Sequence, residues 1–259
     1  MTWFTRRRLW ALACVAFVGG IIEFLPAHFF EERINRALPP PWHVTLSGTV
    51  WDGFGVLQTR GSDRFAVPLT WKFDPLALVR ARLAWKIVPD STSLSGSIKI
   101  GAGWRSLEFR DASLTMDAEI FQQVVPILAV FAPSGNVLVT TPPDAGLTVN
   151  YGNELRLNGE ANIQANNFGL RPYGPQPLGS YQLKFAARDT DVNYVIGQSS
   201  GALKLEGGGS IQIAAPRQIA YAGHVTASPA LHEALLAQVN AMGQPGADGR
   251  VRIDWKARW

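Results

Sequence analysis

Gly197-Gln198-Ser199-Ser200-Gly201 spells a known catalytic pattern, G-x-S-x-G. In a hydrolase that pattern is a nucleophile elbow: a strand enters, a tight turn presents the serine hydroxyl, and a helix leaves beside an oxyanion hole. Here Ala202 to Glu206 alternates like a strand and Gly207-Gly208-Gly209 follows, so the required helix is missing. The stretch reads as a turn between strands, and Ser199 is not assigned as a nucleophile. The four histidines, His28, His43, His224 and His232, lack both H-E-x-x-H spacing and neighbouring cysteines, so no metal site is expected. Gly207 to Ser210 lacks the Gly-Lys-Ser/Thr ending and the following helix of a phosphate cradle, and reads as a flexible strand or bulge. Asp52, Asp74 and Asp117 each stand at a turn or cap signal rather than in a pair suited to acid–base chemistry. The expectation is a protein that is not an enzyme, with no catalytic, cofactor-binding or metal residue and no cofactor.

The elements that would carry these residues are mostly strands. Apolar and polar residues alternate at Val44 and Leu46, at Leu83, Trp85 and Ile87, at Ile98 and Ile100, at Leu203 and Leu205, and at Val251, Ile253 and Trp255. Period two marks strands with one covered face and one wet face. Helices are few. Asp74-Pro75 opens a short one over Leu76 to Arg80, and Ser228-Pro229 opens a longer one. In the latter, Leu231, Leu235, Val239 and Met242 form an apolar stripe that Gly243 ends. Asp117 opens a third, with Ile120, Val124 and Leu128 on one side and Pro126 bending or ending it.

Composition agrees with this pattern. The chain is 47% hydrophobic and only 17% charged, with 25 Gly, 17 Pro and 9 Trp, which suits many short strands joined by turns. The net charge of +4 owes three units to Arg6, Arg7 and Arg8, so no basic stripe points to nucleic acid. Those arginines precede Leu9 to Leu25, an apolar run broken only by Glu23. As a helix it measures roughly 26 Å, at the short end of what crosses a bilayer core of ~30 Å. Arginines before the run, with no matching cluster directly after it, put the N-terminus in the cytoplasm. A cleaved signal peptide shares the basic start. It would need small residues at its end, whereas this run ends Phe24-Leu25-Pro26-Ala27-His28, so a retained anchor is expected. Phe29 to Leu38 continues as a charged helix up to Pro39-Pro40-Pro41, which reads as a stiff connector. Cys14, the single cysteine, lies within the apolar run and allows no intramolecular disulfide.

The chain also repeats itself. Gly96-Ser97-Ile98-Lys99-Ile100 recurs as Gly209-Ser210-Ile211-Gln212-Ile213, and each copy leads to a second alternating stretch and then to a capped helix. Leu46-Ser47-Gly48 with Phe54-Gly55 matches Leu157-Asn158-Gly159 with Phe168-Gly169, and Pro68-Leu69 with Lys72-Phe73 matches Pro177-Leu178 with Lys184-Phe185. Four matches in the same order indicate two β-rich halves, about 42–145 and 146–259, sharing one curved antiparallel sheet.

Leu46-Ser47-Gly48-Thr49-Val50-Trp51-Asp52-Gly53 is a strand running into an Asp-Gly turn, with Trp51 placed to cover the adjoining core. Taken with the arginine-flanked run, Trp71-x-x-Asp74-Pro75-Leu76, the Leu83-x-Trp85 pair and the closing Asp248-Gly249-Arg250, it resembles the general secretion pathway protein N family of type II secretion. The resemblance covers essentially the whole chain. It implies a cytoplasmic tail over 1–8, a transmembrane helix over 9–26, a juxtamembrane connector over 27–41 and a periplasmic β domain over 42–259. It further implies residence in the inner membrane and contacts with the inner-membrane platform component M and the outer-membrane secretin, component D. No catalytic residue is carried over. A sheet with one apolar face, tethered to the inner membrane, is also similar to periplasmic lipid-handling proteins of the AsmA kind, so lipid is a second candidate partner. For strand addition by a partner, Val251 to Trp255 is the candidate free edge.

Overall fold

Alternation commits most of the chain to strands, and those strands hydrogen-bond into a single antiparallel sheet. The computed structural model describes residues 10, 20, 23–38, 42–59, 62–80, 82–124, 130–142, 145–151, 155–243 and 245–258. Within them the strands are β1 (Trp42–Gly48), β2 (Asp52–Thr59), β3 (Ser62–Phe73), β4 (Leu83–Pro89), β5 (Leu94–Ala102), β6 (Ser106–Asp117) and β7 (Pro133–Thr140). They continue as β8 (Leu147–Tyr151), β9 (Leu155–Leu170), β10 (Gly179–Asp189), β11 (Asp191–Gly201), β12 (Leu203–Gln212), β13 (Gln218–Ala227) and β14 (Arg250–Arg258). Each is hydrogen-bonded to its sequence neighbour, except that β7 pairs directly with β9 and β8 bridges β6 and β9. The helices are α1 (Glu31–Ala37), α2 (Ile120–Val124) and α3 (Glu233–Met242), with 3-10 turns at Ala27–Phe30, Pro75–Arg80 and Arg171–Tyr173.

Register gathers most apolar strand residues on one face, with exceptions such as Phe54 and Val195 on the other. Val44 faces Leu57, which faces Val67. Trp71 faces Ile87, which faces Ile98. Met116, Val137, Ala165 and Tyr181 line up across four strands, as do Val192, Ile211, Ile219 and Ala257. A one-residue slip anywhere would reverse that strand's faces, so the apolar face itself fixes the register. The other face is polar, with Lys72, Lys86 and Lys99 side by side. Like charges in a ladder repel, and Asp111 answers the last of them at 2.7 Å from Lys99 Nζ. That hydrogen-bonded carboxylate raises the Lys99 pKa.

Two helices cover part of the apolar face at the same end of the strands. Ile120 of α2 packs with Val67, while the preceding Ala118 joins Val137, Ala165 and Tyr181. Leu235 of α3 packs on Leu178 and Leu231, and Val239 on Val225 and Val251. The repeat is visible in the topology: β3 to β6, α2 and β7 are followed by β10 to β13, α3 and β14 in the same order.

Several expectations need correction. Gly197–Gly201 is no turn: it is the end of β11, paired with β10 through Gly179↔Gly201. Asp117 closes β6, and helix α2 begins at Ile120; its expected continuation through Pro126 and Leu128 lies outside the described residues. The Ser228-Pro229 helix begins later, at Glu233, because His232 caps it by accepting the Ala234 N–H at 3.3 Å. The matched Leu-x-Gly segments differ too. Gly48 ends β1 before a turn into β2, whereas Gly159 sits inside the unbroken β9. The anchor expected over 9–26 lies mostly outside the described residues. Among those described, no helix is long and apolar enough to cross a membrane.

Candidate partner-binding edges and apolar face

The structure disperses the residues with catalytic or ligating potential. Ser199 Oγ accepts the Leu205 N–H at 3.0 Å, so its hydroxyl links β11 to β12. His224 is exposed in β13, His232 caps α3, and His28 packs on Phe29 with ring centroids 4.7 Å apart. His43 lies in β1, where its Nδ1 is buried without a hydrogen-bond partner. Among the described residues no three His, Cys, Asp or Glu side chains are grouped to hold a metal ion. Asp74 Oδ1 accepts the Leu76 N–H at 3.0 Å, a cap as expected. The glycine run belongs to β12 and serves the tyrosines around it. Tyr194 crosses Gly209 to donate to Ala220 O at 2.9 Å, and a Cβ on Gly209 would stand 2.7 Å from the tyrosine oxygen. Tyr181 donates to Leu203 O at 2.8 Å, and burial pushes its pKa up to about 12.

The two outermost strands are treated differently. β1 pairs with β2 on one side, and on the other its backbone is occupied by side chains of α1. Asn35 Nδ2 donates to Val44 O at 2.9 Å while Asn35 Oδ1 accepts the Val44 N–H at 2.7 Å. One carboxamide thus offers the donor and acceptor that a neighbouring strand would offer. A Glu31 carboxylate oxygen accepts the Leu46 N–H at 3.0 Å, and Leu25 O accepts the Val50 N–H at 3.0 Å. The 27–37 segment therefore lies against the sheet instead of standing clear of it as a spacer. Nothing in the spelling of Asn35 signals this, because its role exists only once the helix folds back on β1.

β14 is the opposite case: it pairs with β13, and no described strand lies on its other side. This is the strand that holds the Val251 to Trp255 run. Val251 is buried under Val239, while Arg252, Asp254, Lys256 and Arg258 stand exposed on the polar face.

The apolar face of the first half is open beneath α1 as a cleft of about 700 Å³. Phe30 and Ile34 overhang it, Leu69, Trp71, Trp85 and Ile87 form its floor, and Arg33 is the one charged residue in its lining. The tryptophans are fixed by their indole N–H groups: Trp71 Nε1 donates to Thr49 O at 3.0 Å and Trp85 Nε1 to Val50 O at 2.8 Å. Trp71, rather than Trp51, is the buried indole beside the Asp-Gly turn. It lies across Gly53, whose Cβ would be 2.3 Å from its ring, while half-buried Trp51 meets Phe73 edge-on at 4.6 Å.

An open antiparallel sheet with one edge sealed from within, one edge free and a partly covered apolar face defines a β-sheet scaffold with surfaces suited to partners. The family described as type II secretion system (T2SS), protein N, matches residues 42–254, from β1 into β14, and the chain belongs to that family. A curated relative, the type II secretion system protein N of Aeromonas hydrophila, is 26% identical over 260 residues, covering 96% of each chain. No solved structure matches. Membership makes this protein a component of type II secretion.

Proposed function

We propose that this protein is held in the inner membrane by its N-terminal run and supports export of folded exoproteins, without catalysing a reaction, by joining the platform component M to the secretin component D. The observation that carries this reading is the contrast between the sheet edges: Asn35 and Glu31 seal β1, whereas among the described residues no strand covers β14. A free edge is a template for strand addition. The fold supplies its own precedent. β7 ends the first repeat as β14 ends the second, and β9 covers the outer side of β7 in antiparallel pairing. A partner strand on β14 would do the same.

The test is in-cell crosslinking from photoreactive residues at Arg252 and Lys256, with exoprotein release measured in a deletion strain. Capture of platform or secretin components, and exoproteins stranded in the periplasm, are expected. Capture of lipid alone, with normal release in the deletion strain, would defeat the proposal.

The AsmA-like lipid-handling reading draws on a different observation, the apolar face that runs from β1 to β14 and opens as the cleft under α1. Phospholipid retained by the purified protein, and lost with Trp85→Glu in the cleft floor, would favour it.

A further inference from the structure

The turns β1–β2, β3–β4 and β5–β6 lie on one rim of the sheet, since Asp52 faces Lys72 and Leu83 faces Ala102; α2 and α3 lie at the opposite rim. On the first rim stand the three most exposed large apolar side chains among the described residues: Trp104 at 95%, Val79 at 85% and Leu76 at 76%. Phe24, Phe29 and Leu155 add to it. Such side chains at turn tips contribute nothing to the core and have an unfavourable exposure to water. The apolar run Leu9–Leu25 ends at this same rim, where Leu25 O accepts the Val50 N–H at 3.0 Å and Pro26 bridges Thr49. No length of chain separates the end of the run from the sheet. Arg105, exposed beside Trp104, places a cation where anionic headgroups would meet it.

We infer that this rim is a membrane-seating surface: the 75–80 turn and the 103–105 hairpin tip rest in the lipid interface of the bilayer that holds the N-terminal run. The inference rests on the anchoring reading above. Tryptophan and arginine are the residues that favour the headgroup region, and leucine and valine reach below it. Seating at several turns fixes the tilt of the sheet, so that its strands rise from the membrane and carry α2 and α3 away from it. The twelve residues of β6 span roughly 35 Å at ~3.3 Å per residue, which places the far rim well clear of the headgroups.

The full-length chain, reconstituted in phosphatidylethanolamine and phosphatidylglycerol vesicles containing nitroxide-labelled lipid, tests this. One sample carries an NBD fluorophore on native Cys14. Others carry it on Trp104→Cys, Val79→Cys or, at the far rim, Val130→Cys, each with Cys14→Ser. Positions 104, 79 and 130 are largely exposed, so the fold is retained, and thermal melts check it. Quenching at Cys14, 104 and 79 several-fold stronger than at 130 is the expected result. Quenching at Cys14 but no more at 104 and 79 than at 130 overturns the seating while anchoring stands. No quenching at Cys14 overturns the anchoring reading and the seating together. In-cell photocrosslinking from position 104 that captures a protein instead of lipid also overturns it, since the rim is then a protein interface.

Discussion

Trp71 shows how one side chain organises the start of the sheet. Its ring fills the space above Gly53 and Gly55, its N–H holds the β1–β2 turn at Thr49 O, and it is among the buried core residues. Trp71→Ala should therefore cost about 3–5 kcal/mol in chemical denaturation, the range for deleting a large buried aromatic. Trp51→Ala should cost less, because its ring is half-buried and meets Phe73 by an edge contact worth about 0.5–1.5 kcal/mol beyond its area. Equal losses from the two variants would mean that the turn is held by something other than the Trp71 indole. The sequence placed a tryptophan over the Asp-Gly turn but named the wrong one. Trp51 is adjacent in the chain, whereas Trp71 arrives by the register of β3 on β2, and glycine size complementarity is invisible before that register is known.

At the scale of elements, α1 matters more than its seven residues suggest. It has no buried residue of its own, so a fold built on core packing alone would leave it loose. It is held by polar groups that answer the unpaired backbone of β1. Asn35→Ala removes both hydrogen bonds to Val44 and should destabilise the domain by about 1–3 kcal/mol, with two backbone groups left without their partner. It should also raise self-association in sedimentation, since an uncovered edge strand pairs with another copy. A monomeric variant of unchanged stability would show that α1 does not guard the edge. Strands were legible from alternation, because period two depends on local spelling. What escaped was where each element meets another: Gly197–Gly201 extends β11 because β10 lies alongside it, and His232 starts α3 because its ring nitrogen reaches Ala234 N. The absence of an elbow at Ser199 could be anticipated from the missing helix; the bond from Leu205 N–H to its hydroxyl could not.

For the whole molecule, the recurring element order gives β14 the place that β7 holds in the first half. In the first repeat, the strand after the helix is β7, and β9 of the second repeat covers it. The second repeat closes on the corresponding strand, β14, and among the described residues no strand covers its outer side. Its charges then decide what can dock. Arg252, Lys256 and Arg258 outnumber Asp254 on the polar side of β14, which discourages pairing between copies and favours an approaching strand that carries acid. Reversing two of these charges together, Arg252→Glu with Lys256→Glu, should leave stability within about 0.5 kcal/mol, because both side chains are exposed. Exoprotein release into the medium should nevertheless fall, with protein levels unchanged by immunoblot, because the encounter with an acidic partner strand is now repulsive. The conservative pair Arg252→Lys with Lys256→Arg should restore release, which separates a loss of charge complementarity from a loss of fold. Normal release in the reversed variant would move the docking strand away from β14 and leave the apolar face as the surface on which partners must be sought.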